Sequence, residues 1–166
     1  MLQQEWTTAA LTLDQALALL IPFVEVSDGG PPNVADRAMG QAWAWRSFID
    51  LNSDVPSVTC PINLQRGPAI SPLVPMCAGQ MHVRPMPNYP RDANALGEEG
   101  VVVLWYDIAE DGSLSNIEVL GAMPAGGFPQ AVMAVADHWR FVWASDAENC
   151  LRHREGAMTR IQFQVR

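Results

Sequence analysis

From Val101 to Ile108 the chain reads VVVLWYDI. A period of two puts Val102, Leu104, Tyr106 and Ile108 on one face and Val101, Val103, Trp105 and Asp107 on the other. Both faces are largely apolar, which predicts a central strand. Asp111-Gly112 then marks a tight reversal, because glycine accepts positive φ without a Cβ clash. The return strand sets Ile117 and Val119 against Asn116 and Glu118, a half-buried pattern. Past the break at Gly121 to Gly127, the spacing of Phe128, Val132, Val135, Trp139 and Val142 predicts a helix of about four turns, with Pro129 in its first turn. Ile161, Phe163 and Val165 alternate with Arg160, Gln162, Gln164 and Arg166 as a last strand. The order is strand, strand, helix, strand: an α+β fold with a three-stranded antiparallel sheet and one packed helix.

Two helices are expected upstream. Thr12 and Gln15 have capping-box spacing ahead of Leu13, Ala16, Leu17 and Leu20, so a short helix should start near Leu13 and stop before Pro22. Asn33 with Asp36 marks a second start, and Ala35, Met39, Ala42, Trp43, Arg46 and Ile49 recur at helical spacing to about Leu51. Trp43 is expected to pack on the neighbouring domain. From Pro56 to Pro90 lie eight of the 13 prolines, a density that prevents regular ladders and predicts an irregular wrap along the sheet. The chain thus divides into a helical region at 1–55, a Pro-rich segment at 56–82 and a sheet domain at 83–166.

Residues of that last domain, taken together, resemble the carboxy-terminal domain of TonB, the periplasmic energy-transducer domain. The resemblance rests on Tyr89-Pro90, Gly100, Asp111-Gly112, Pro124-Ala125 before Phe128, and Trp139-Arg140-Phe141, in this order and spacing. It covers about residues 83–166. It departs at Trp143, which stands near where the family has a proline, and no amino-terminal membrane helix or long Pro-rich spacer is expected from the pattern. The resemblance implies a non-catalytic, periplasmic module that captures an extended segment of an outer-membrane receptor or other envelope protein at its last strand. The residues implied are Asn88, Tyr89, Arg160, Ile161, Gln162, Phe163, Gln164 and Val165. An unpaired strand edge accepts an added strand. The chain's own Pro-rich segment, or a second copy forming a homodimer through that edge, competes for the same place. The alternative role is that of an accessory subunit of a larger cell-envelope complex, using this fold for assembly.

Composition narrows the remaining classes. All ten basic residues are arginine against 18 acids, a formal charge of −8, which argues against nucleic acid as a partner. The start MLQQEWTTAALT has no positive charge, so no signal peptide is expected, and the apolar run at 16–24 is too short to span a bilayer. No metal-ligand spacing appears and no cofactor is expected. Cys150 with His153 is the one nucleophile-and-base pair, read as structural rather than catalytic. Of the three cysteines, Cys60 and Cys77 are the natural pair in an oxidising compartment, with Cys150 left as an open alternative partner.

Overall fold

A computed structural model describes residues 2–25, 31–53, 77–144 and 150–165. Its elements are α1 (Leu2–Glu25), α2 (Val34–Asn52), β1 (Gly79–His82), α3 (Arg91–Leu96), β2 (Gly100–Ile108), β3 (Leu114–Met123), α4 (Phe128–Met133), β4 (Arg140–Trp143) and β5 (Arg154–Phe163). Three strands form an antiparallel sheet in the order β3-β2-β5, and β1 pairs with β4 in a separate two-stranded sheet. The expected α+β architecture is present, with β2 central.

Both faces of β2 are covered, and by different parts of the chain. On one face Val102, Leu104, Tyr106 and Ile108 pack with Phe128, Val132, Ala136, Trp139 and Phe163. On the other, Val103 and Trp105 meet Ala44 of α2 and Leu120 of β3, with Trp43 and Met158 against them. Trp43 therefore packs on the sheet, as its place in the helical stripe suggested. The hairpin turn follows its chemistry: Gly112 adopts φ +78°, and Asp111 accepts hydrogen bonds from the Ser113 amide at 2.8 Å and from its hydroxyl at 2.6 Å. Those bonds hold the Asp111 carboxyl below its usual range.

Several expectations about helices change. The first helix begins at Leu2 and runs through Pro22 to Glu25. Thr12 does not cap it; its hydroxyl donates to the Thr8 carbonyl at 2.9 Å within the helix. Pro22 lies in the last turn, where few residues remain to be disturbed. The second start is as read, with Asn33 and Asp36 forming a reciprocal capping box. The four-turn helix after Phe128 is overturned. It stops at Met133, a 3-10 turn covers Ala136–His138, and Arg140–Trp143 is a strand. Phe141 and Trp143 alternate with Arg140 and Val142, a period-two pattern that gains its ladder from β1, with Phe141 paired to Met81 and Trp143 to Gly79. Trp139 remains fully buried, its indole N–H donating to the Pro85 carbonyl at 2.9 Å. The expectations for residues 56–76 lie outside the described residues. Its neighbour Gly79–His82, assigned to the Pro-rich segment, is a strand.

The disulfide expectation is corrected as well. Cys77 is bonded to Cys150, not to Cys60, which lies outside the described residues. Cys77 is held beside Cys150 by the hydrogen bond from its amide to the Leu151 carbonyl at 3.0 Å. The bridge joins the entry of β1 to the entry of β5, so Cys150 is not a nucleophile for His153.

Helices α1 and α2 associate through Leu17 and Met39. Beside them Arg46, almost fully buried, pairs with Asp14 at 2.8 Å and with Asp50. Burial works against the guanidinium charge, but the two carboxylates outweigh it and raise its pKa. Three polar links fasten α2 to the sheet: Arg37 to Glu118 at 2.8 Å, Gln41 to the Ala122 carbonyl at 3.4 Å, and Arg160 to the Ser47 hydroxyl at 2.9 Å.

Tyr106 provides a test of the sheet core. Burial pushes its phenol from 10.0 up to about 12, against the opposing influence of Arg154 and of a hydrogen bond with Thr159. A raised folded-state pKa means the stability is fully present below pH 10.0 and is lost as pH climbs through about 12. At about 1.4 kcal/mol per unit the loss is about 3 kcal/mol. Urea unfolding midpoints measured across this alkaline window should fall for the natural chain. In Tyr106→Phe the fall should be markedly smaller.

Candidate functional site

Of the two outer edges of the sheet, β3 and β5 differ in what lies beside them. The start of β3 is continued toward the small sheet by a bridge between Ser113 and Arg140, with the Phe141 amide donating to the Gly112 carbonyl at 2.8 Å. Along the outer edge of β5 no described strand pairs. Backbone groups of alternate residues there face outward.

A groove of about 430 Å³ runs along this edge, lined by Met86, Pro87, Tyr89, Glu99 and residues 161–165. Its floor is aromatic. Tyr89 meets Phe163 edge-on at a centroid distance of 5.6 Å and Phe128 at 5.8 Å, and Phe128 lies 4.9 Å from Phe163. Such pairs contribute about 1 kcal/mol each beyond their buried area, so the floor is rigid. The Tyr89 hydroxyl donates to the Glu98 carbonyl at 2.6 Å, fixing the segment before α3 over the end of β2. Burial, then the charges of Glu99 and Glu98, raise the Tyr89 pKa above its ordinary value. The phenol therefore stays neutral and remains a donor at neutral pH.

Pairing of β5 with β2 explains which side chains reach the groove. Ile161 lies opposite Val102 and Phe163 opposite Gly100, on the face shared with Phe128. Arg160 lies opposite Val103 on the α2 face, where its guanidinium is held by Ser47. The structure thus brings Tyr89, Ile161, Gln162, Phe163, Gln164 and Val165 to one groove. It turns Arg160 away and leaves Asn88 exposed outside the lining. Met86, Pro87 and Glu99 are lining residues that the resemblance did not imply as part of the site; Glu99, with Glu98, reads from the sequence as a solvated pair. The signal available was the Met-Pro-Asn-Tyr-Pro run, whose prolines hold an extended path beside the Tyr-Pro pair.

A second cleft, of about 380 Å³, opens between β3, β5 and Pro31, with Asp107, Glu118 and Glu155 in its lining. Its carboxylates have partners within the chain. Asp107 accepts from the Gly156 amide and the Asn116 side chain, both at 2.8 Å, Glu118 pairs with Arg37, and Glu155 lies 3.4 Å from His153. Among the described residues no group of three or more His, Cys, Asp or Glu side chains could hold a metal ion, and no helix is long and apolar enough to cross a membrane.

A family model described as the Gram-negative bacterial TonB protein C-terminal matches residues 85–164. TonB of Klebsiella pneumoniae is 33% identical over 96 residues, covering 57% of this chain and 39% of that protein. TonB of Yersinia enterocolitica is 46% identical over 55 residues, covering 33% of this chain and 22% of that protein. The match therefore spans well under half the length of these curated relatives. The solution structure of the Pseudomonas aeruginosa TonB CTD is similar over 52% of this chain and 86% of that one, at 30% identity and a TM-score of 0.42.

Proposed function

With residues 85–164 belonging to the TonB C-terminal domain family, we propose that this chain is a non-catalytic, periplasmic protein-binding module that captures an extended segment of an outer-membrane receptor at β5. The observation that carries the reading is the coincidence of an unpaired strand edge with an aromatic-floored groove on the same side. Strand addition supplies main-chain hydrogen bonds, and the groove receives alternate side chains. The exposed Leu11, Leu19 and Trp45 on α1 and α2 favour a second reading, an accessory subunit of an envelope complex assembled through the helices.

The test is a titration of the isotope-labelled chain with a peptide copied from an extended segment of an outer-membrane receptor, followed by amide NMR. Signals of residues 161–165 and Tyr89 should move while those of α1 and α2 stay fixed. Gln164→Pro is the informative variant. It lies just past the last β2–β5 pair, Gly100 with Phe163, so no paired residue of the ladder is replaced while a backbone donor in the groove lining is removed. Binding should weaken about fivefold, the worth of one hydrogen bond. Movement confined to α1 and α2 would instead favour the accessory subunit. Shifts at β5 that depend on protein concentration alone would mean that a second copy of the chain occupies the edge.

A further inference from the structure

We propose that the strand received at β5 is selected for a cationic side chain, lysine or arginine, by Glu99; this rests on the edge-capture reading and names the chemistry of its partner. Among the described residues lining the groove Glu99 is the single charged one, the others being apolar or neutral. It is half-buried, and among the described residues no cation pairs with it. The basic residue of β5 nearest the site, Arg160, is committed to Ser47 on the opposite face of the sheet. Glu99 and Glu98 both act on Tyr89, so their negative field reaches the groove floor.

A strand laid along β5 therefore meets apolar and amide side chains and one carboxylate that has no cationic partner among the described residues. A lysine or arginine placed there forms a charge-assisted hydrogen bond, and partial burial limits its screening by salt. An aspartate or glutamate in the same position is repelled. The partner's apolar side chains, at alternate positions, seat against Met86, Tyr89 and Phe163. The chain's net charge of −8 adds attraction for a basic segment during encounter.

Three synthetic peptides of alternating threonine and valine, differing in one central lysine, glutamine or glutamate, provide the test against the full chain. Each is free to slide along β5 and settle in its own register. The lysine peptide should bind about fivefold more tightly than the glutamine peptide, and the glutamate peptide most weakly. In Glu99→Gln the lysine advantage should vanish while the amides of residues 161–165 still shift on binding. Glu98→Gln, an exposed neighbour, should keep most of it. Equal affinities for the natural chain, or a lysine preference that survives in Glu99→Gln, overturn the inference and leave edge capture standing. No shift at β5 with any of the peptides overturns both.

Discussion

Replacing Cys150 with serine should lower folding stability by about 4 kcal/mol, the largest loss expected from any single thiol in the chain. The bond joins residues 73 positions apart, so breaking it returns a long loop's worth of freedom to the unfolded chain. Two native features depend on it further. Cys77 leads directly into β1, whose four residues form the sole described ladder with β4, and such a two-stranded pair is weak by itself. Leu151, which accepts from the Cys77 amide, leads into β5. Urea unfolding should therefore shift by a similar amount in reductant and in Cys150→Ser, and the two effects should not add. Cys60→Ser should leave the midpoint where it is. If Cys60→Ser alone reproduces the loss, the pairing expected from sequence proximity is the true one and the Cys77–Cys150 bond is wrong.

That the pairing was misjudged from the sequence has a physical cause. Neighbours in sequence are the default guess for a bridge, but Cys77 and Cys150 are brought together by β1 pairing with β4, a contact with no local signal. The same contact explains the helix that ended early. Phe128, Val132, Val135, Trp139 and Val142 satisfy a helical period, while Arg140 to Trp143 satisfy a strand period equally well, and only the presence of Gly79–His82 decides between them. The hairpin was legible because alternation and Asp111-Gly112 are both local and agree. The second helix was legible for the same reason, since Asn33 and Asp36 cap each other within one turn. Six of the nine residues lining the candidate groove, Tyr89 and residues 161–165, are among those the family resemblance implies. Met86, Pro87 and Glu99 reach it from a segment whose path is set by Tyr89 and its aromatic partners, not by any periodicity of its own. The side chain of Arg160 lies on the α2 face, bonded to Ser47, because alternation assigns a face but does not say that a helix waits on it.

Gly121→Val should be the most disruptive substitution on the helix side of the sheet, costing about 3 kcal/mol. The register of β3 against β2 shifts between Val103 and Leu104, so that Leu120 and Gly121 fall together beneath α2. A Cβ on Gly121 would lie 2.5 Å from the Gly40 carbonyl oxygen and 2.6 Å from the Gln41 Cα, both backbone atoms that cannot swing aside. On the facing side, a Cβ on Gly40 would overlap that of Leu120. Two glycines, one on each element, thus permit a close crossing that residues of ordinary size would forbid. To accommodate valine at 121, α2 must lift, and Val103 and Trp105 lose the cover given by Ala44 and Trp43.

Because those residues sit on the central strand, the damage should spread through the whole chain. Unfolding of Gly121→Val should remain a single transition at a lower midpoint, with fluorescence red-shifted as tryptophans become wetted. The control separates sterics from propensity: Gly40→Ala should be costly in the natural background and markedly less so with Leu120→Gly, a coupling a double-mutant cycle reads directly. Gly121→Val should gain nothing from Leu120→Gly, since its clash is with backbone. Two separated transitions, one for residues 2–53 and one for the sheet, would mean instead that the helical pair is an independent unit resting on the domain. A single transition makes α1 and α2 the second wall of the core that carries β5, so that any partner bound at the edge is held by a sheet braced on both faces.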